Sequence, residues 1–155
     1  MIRRIVSGGQ TGVDRAALQV ALELGLGCGG WVPRGRRAED GCVPDCFPMR
    51  ETTSAGYPQR TRYNVRDSDA TLIISRGAPT GGTALTVACA KDLRRPFMVV
   101  DLARAGDTTS IGTVRDWLQR HRIHVLNVAG PRESTAPGIA ADAAAFLREL
   151  LAEGE

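Results

Sequence analysis

Two short stretches carry the residue types needed to hold an anion. "SGGQTGVD" spans Ser7–Asp14 and "PTGGTALT" spans Pro79–Thr86. Each sets glycines beside a hydroxyl where an apolar run gives way to a helical pattern. Glycine lets the backbone approach a bound group, and the first turn of a helix offers N–H groups that its own carbonyls cannot satisfy. The helix dipole adds positive potential at the same place. Gly8, Gly9, Gln10, Thr11 and Gly12 in the first stretch, with Thr80, Gly81, Gly82 and Thr83 in the second, are therefore the candidate ligand-binding residues. Asp14 joins them, although a carboxylate in a first helical turn also suits the dipole without any ligand. Arg34, Gly35 and Arg36 extend the set, because guanidinium groups bind phosphate and carboxylate in a bidentate fashion. One such loop is also explained as a tight strand-to-helix turn. Two on one sheet edge point to a shared anion site.

The same residues exclude familiar alternatives. Ser7-x-Gly9-x-x-Gly12 resembles a dinucleotide fingerprint with serine for its first glycine, but the next strand ends in "WVPRG". It lacks the acid that would hold a ribose diol, so NAD is not expected. No Gly-Lys-Ser/Thr follows either loop, which removes a triphosphate-binding loop. Cys42 and Cys46 lack the second ligand pair of a structural zinc site, and no metal site is assigned. His121 and His124 have no nucleophile near them in sequence. Arg60, Asn64 and Asp67 share one helical face and read as anchors for a loop or a subunit contact. Arg132 follows the fifth strand at the ligand end of the sheet; Asp69 precedes its strand, at the other end.

Composition sets the outer bounds. The chain has 155 residues, 43% hydrophobic and 24% charged, as expected for a globular protein of one domain spanning 1–155. No apolar run approaches the ~18 residues of a membrane span. The opening "MIRRIV" has no signal-peptide pattern, so a cytoplasmic location and no membrane partner are expected. The net charge is +3, and residues 31–66 hold seven arginines against four acids. Aromatic residues are only 5%, too sparse for the stacking surfaces of a nucleic-acid binder.

The elements that must position these loops follow from periodicity. Apolar strands are read at 3–7, 27–33, 70–75, 96–102 and 123–130. Helices are read at 13–25, near 59–67, at 83–93, 109–120 and 137–152. Residues 34–58 show no period. Continuous apolar strands alternating with helices predict a Rossmann-like three-layer α/β/α fold with a mainly parallel sheet of about five strands. Two glycine loops after strands one and three suggest that these strands are neighbours, giving the order 2-1-3-4-5.

Several separated motifs together carry a resemblance. "SGGQTGVDRAAL", "GGWVPRGRRAEDG", "QRTRYNVRDSDATLI", "TGGTALT" and "NVAGPRES" resemble the molybdenum cofactor carrier proteins. These are Rossmann-like relatives of the lysine-decarboxylase-like phosphoribohydrolases and the DNA-processing protein. The resemblance implies a phosphate-binding role for the glycine-rich loops and assembly as a homo-oligomer, a dimer or tetramer. It also implies a molybdopterin-type molybdenum cofactor as cargo and molybdoenzymes as recipients. The hydrolase relatives carry a catalytic Glu where the aligned "TGGTALT" region places Ala88. The resemblance therefore implies a carrier, with a nucleoside-monophosphate N-glycosidase as the alternative. No catalytic residue is assigned.

Overall fold

A computed structural model of the chain describes residues 1–104 and 109–152. Six parallel strands form one sheet: β1 (Arg4–Val6), β2 (Gly27–Val32), β5 (Met49–Glu51), β6 (Ala70–Ser75), β7 (Phe97–Asp101) and β8 (Val125–Ala129). Between β2 and β5 the chain makes a small antiparallel hairpin, β3 (Arg37–Ala38) and β4 (Gly41–Cys42). The helices are α1 (Val13–Glu23), α2 (Tyr57–Arg66), α3 (Gly81–Asp92), α4 (Thr109–Arg120) and α5 (Ile139–Leu151). Helices α1, α4 and α5 pack together, while α2 packs on α3 and β2. The sheet lies between these two layers. The expected Rossmann-like three-layer class is what the chain adopts.

The strand order corrects the sequence reading. The sheet runs β5-β2-β1-β8-β6-β7. In the numbering of the five expected strands this is 2-1-5-3-4, not 2-1-3-4-5, with β5 added outside strand two. The final strand enters the centre of the sheet, between β1 and β6. Burial explains the placement. Leu126, Asn127 and Val128 of β8 are covered, whereas β7 leaves Val99 39% exposed, as an edge strand can. The two glycine loops therefore flank β8 instead of following adjacent strands. If β8 is counted first, the strands fill β8, β1, β2, β5 in one direction and then β6, β7 in the other. That is a doubly wound sheet whose reversal falls between β8 and β6. Such reversals leave a crevice at the carboxyl ends of the strands.

The core is apolar on both faces of the sheet. Ile5, Leu72, Ile73, Ile74 and Leu126 are fully buried, each side chain contributing ~1.5–3 kcal/mol by burial. Helix α1 lies against α5 through alanines at 16, 17, 143 and 144. It stops where Gly25 takes a left-handed φ of 69° and its N–H bonds Leu22 O. The "irregular" 34–58 stretch holds the β3–β4 hairpin and the edge strand β5. Arg36 organises it: at a φ of 55° its guanidinium donates to the carbonyls of Val43, Pro44 and Phe47.

Candidate anion-binding site

A cavity of about 880 Å³ opens at the carboxyl ends of β8 and β6, between α2 and α3. Its floor includes Ser75, Asn127 and Ala129; its walls include Gly8, Gln10 and Asp14, residues of α2, the Thr80–Thr83 turn and the Gly130–Pro137 segment. This is the place that the reversal of strand direction leaves open.

The second glycine loop offers free donors to it. Helix α3 begins at Gly81 behind Thr80, whose side chain does not cap it. The N–H groups of Thr83 and Ala84 reach Thr80 O at 3.1 and 3.2 Å. Gly81 and Gly82 have no such partner among the described residues, and a Cβ at either would meet only open space. Two N–H groups thus point outward at the positive end of a twelve-residue helix.

The first glycine loop does different work. A Cβ on Gly12 would collide with the Pro131 carbonyl, and one on Gly9 would meet Val43 and Val32. The N-terminus of α1 is therefore covered by the 131–133 backbone, and Val13 N–H bonds Pro131 O. Gly8 gives room to a guanidinium: Arg60 Nη1 donates to Gly8 O at 2.6 Å. Thr11 lies outside the cavity lining. Its hydroxyl donates to Glu39, and Glu133 N–H donates to it at 3.2 Å. Glu39 also receives the Ser134 hydroxyl, and Asp40 pairs with Arg15, so the hairpin tip clasps the first glycine loop to α1 and to the segment after β8. Gln10 lines the cavity; its Oε1 accepts from Glu39 N–H at 2.8 Å while its buried Nε2 has no partner among the described residues. Arg34, Gly35 and Arg36 are not brought to the cavity wall. Arg34 is exposed, Gly35 N–H donates to Glu51, and Arg36 braces the 43–47 turn.

The cavity is electropositive. Among the described residues its lining carries Arg60, Arg76 and Arg132 against one carboxylate, Asp14. Burial pushes the Asp14 carboxyl up to about 6, with Arg60 and the Gln10 N–H pulling the other way. Arg60 is itself 8% exposed, and burial draws its pKa down against the pull of Asp14. Arg76 is held by Asp142 and by the Pro137 carbonyl, each at 2.6 Å. No three His, Cys, Asp or Glu side chains converge on a metal-binding cluster among the described residues. No helix among them is long and apolar enough to cross a membrane.

The model of the circularly permutated YpsA SLOG family matches residues 5–151. The chain belongs to that family. Permutation accounts for the sheet, because moving β8 and α5 from the end of the chain to its start would restore the consecutive doubly wound order. A crystal structure of a protein described as a putative molybdenum carrier protein, from Syntrophus aciditrophicus SB, is 44% identical. The match covers 97% of this chain and 96% of that one, with a TM-score of 0.95. No curated protein matches the chain.

Several lining residues were not singled out by spacing. Arg76 directly follows a buried strand and Tyr57 opens a helix behind Gly56, and neither position is unusual by itself. Asn127 offered a signal: it is a buried amide inside an apolar strand, and its Nδ2 donates to Thr71 Oγ1 at 3.2 Å. Asn64 and Asp67 hold Trp31, through its backbone and its indole N–H. Ala84 and Ala88 lie exposed on α3.

Proposed function

We propose that this SLOG-family chain is a molybdenum cofactor carrier, binding a phosphorylated pterin or similar phosphorylated ligand in the cavity between α2 and α3. The observation that carries the reading is the uncapped start of α3 facing a cavity with three arginines and one carboxylate. The description of the 44% identical relative supports it. A phosphate fits the Gly81 and Gly82 N–H groups, with the Thr80 and Thr83 hydroxyls beside them. Gly8, Gln10 and Asp14 form the opposite rim, while Gly9, Thr11 and Gly12 hold that rim in place. Arg34, Gly35 and Arg36 act from outside by supporting the loop behind it. No cysteine is among the described residues that line the cavity, so the chain presents no thiolate to a metal centre there. The bound cofactor would bring its own oxo-molybdenum chemistry; the chain binds, orients and shields. Function in a homo-oligomer in the cytoplasm, passing cargo to molybdoenzymes, belongs to the same proposal.

One observation favours a second reading, an N-glycosidase acting on nucleoside monophosphates. Asp14 is a cavity carboxyl whose raised pKa suits a general acid or base. Mass spectrometry of the small molecules that co-purify with the protein separates the two. A pterin phosphate with molybdenum supports the carrier. Release of free base from a nucleoside monophosphate, abolished in Asp14→Asn, supports the enzyme.

A further inference from the structure

Tyr57 opens α2 on the wall facing the start of α3, and three guanidinium groups surround its ring. The Arg37, Arg60 and Arg132 carbons lie 4.9, 5.2 and 5.4 Å from the ring centroid. A ring has two faces, so at least two of these cations share a side. Like charges held this close repel unless something negative lies among them. The anions among the described residues do not suffice. Asp14 is taken by Arg60 at 3.4 Å. Glu39 feels Arg132, but its oxygens serve Thr11 and Ser134. Among the described residues the Arg37 guanidinium donates to one acceptor, the Ala55 carbonyl, at 3.2 Å. Arg132, half-buried and lining the cavity, forms no hydrogen bond or ion pair through its side chain among the described residues. Attraction to a tyrosine face is weaker than a charge-assisted hydrogen bond, which leaves most of this cation's binding capacity unused.

We infer that Arg132, backed by Arg60 and Tyr57, forms a second oxoanion-binding position on the α2 wall, across the cavity from the start of α3. The inference rests on the reading of this cavity as the ligand site and narrows it: the ligand bears negative groups at two ends. One end, a phosphate, takes the Gly81 and Gly82 N–H groups. The other, a second phosphate or a metal-oxo group, takes Arg132. Arg132 stands on the segment after β8 and the Gly81–Gly82 turn on the segment after β6, so the two positions lie on separate parts of the cavity lining.

Tungstate is a tetrahedral oxoanion that anomalous diffraction locates directly. Soaked crystals of the parent should show two peaks, one at the start of α3 and one at Arg132. Arg132→Ala should keep the first and lose the second. In solution, fructose 1,6-bisphosphate should bind the parent at least about tenfold more tightly than fructose 6-phosphate, since one charge-assisted contact is worth that much. Arg132→Ala should bring the two within about threefold, and Arg132→Lys should fall between, with melting temperatures confirming that both variants fold. Loss of the α3 peak alone would overturn the phosphate site and leave Arg132 standing. An α3 peak without one at Arg132, a second peak that survives Arg132→Ala, or equal affinities for the two sugars in the parent would overturn this inference.

Discussion

Asp14 and Arg60 meet at 3.4 Å under the floor of the first glycine loop, 6% and 8% exposed. The acid comes from α1 and the base from α2, so the pair ties together the two helical layers across the end of β1. Arg60 also lines the cavity on that side. A buried pair that must serve both the fold and an incoming anion makes each depend on protonation.

Ligand affinity should follow that dependence. With its carboxyl raised to about 6, Asp14 loses its charge as pH falls through that value and stops competing for Arg60. Sulfate is the clean probe because it does not titrate in this range. Calorimetry should show sulfate binding tightening by up to about tenfold between pH 7.5 and 5, the size of one partly screened charge ~10 Å away. Asp14→Asn should flatten the profile at the tighter level. A parent profile as flat as that of the variant would break the link.

Folding stability should carry the same signature. The folded carboxyl holds its proton up to about 6, against an ordinary value of 3.8. The folded state therefore binds more protons between those values, and stability contributed by Asp14 is complete below about 4 and lost as pH rises through about 6. Two pKa units correspond to roughly 3 kcal/mol. Denaturant titrations of the parent minus those of Asp14→Asn should decline by that order from pH 4 to pH 6.5. A difference that rises with pH would have the wrong sign.

The two glycine loops should respond oppositely to a methyl group. Gly12 has a φ of 81° and faces the Pro131 carbonyl, so Gly12→Ala combines strain with a backbone collision. It should destabilise by about 3 kcal/mol or more. Gly82 is helical and open, and Gly82→Ala should leave stability unchanged or raise it by ~0.5–1 kcal/mol. Anion affinity should nevertheless drop in Gly82→Ala if a ligand comes against that turn. Thermal melts and sulfate calorimetry on the same two variants read both effects.

Arg36 should behave as a brace. Its bonds to three carbonyls predict that Arg36→Ala lowers stability by about 2 kcal/mol while sulfate affinity stays within twofold. Faster amide exchange confined to residues 36–47 would accompany it. An unchanged melt with weakened sulfate binding would instead put Arg36 at the ligand.

The sequence made the layers readable because strands such as "ATLIIS" are too apolar to lie anywhere but between two helical layers. Periodicity likewise announced α1 and α4. Strand order was another matter. Nothing local in "VLNVA" distinguishes a central strand reached last from an edge strand reached last, because order is decided by which neighbours bury it. The second glycine loop was legible as a ligand turn since its neighbours leave it open. The first was ambiguous for a physical reason: glycine at close packing and glycine at a ligand look identical until the packing partner, here Pro131–Glu133 from the far end of the chain, is seen. Arg60 could be placed on a face with Asn64, but its partner Asp14 lies 46 positions away.

The central position of β8 also governs how the chain becomes a protein during synthesis. Elongation proceeds at ~5–20 residues per second and domains tend to fold as soon as they are complete. Until Val125–Ala129 leaves the ribosome, β1 and β6 have no strand to join them. The nascent chain holds two half-sheets, β5-β2-β1 and β6-β7, each with an unpaired inner edge of apolar strand. Such edges recruit other strands, so the unfinished polypeptide depends on its last fifth to close the gap. A ribosome stalled before β8 would leave an aggregation-prone fragment, whereas one stalled after it would have released every strand the sheet requires.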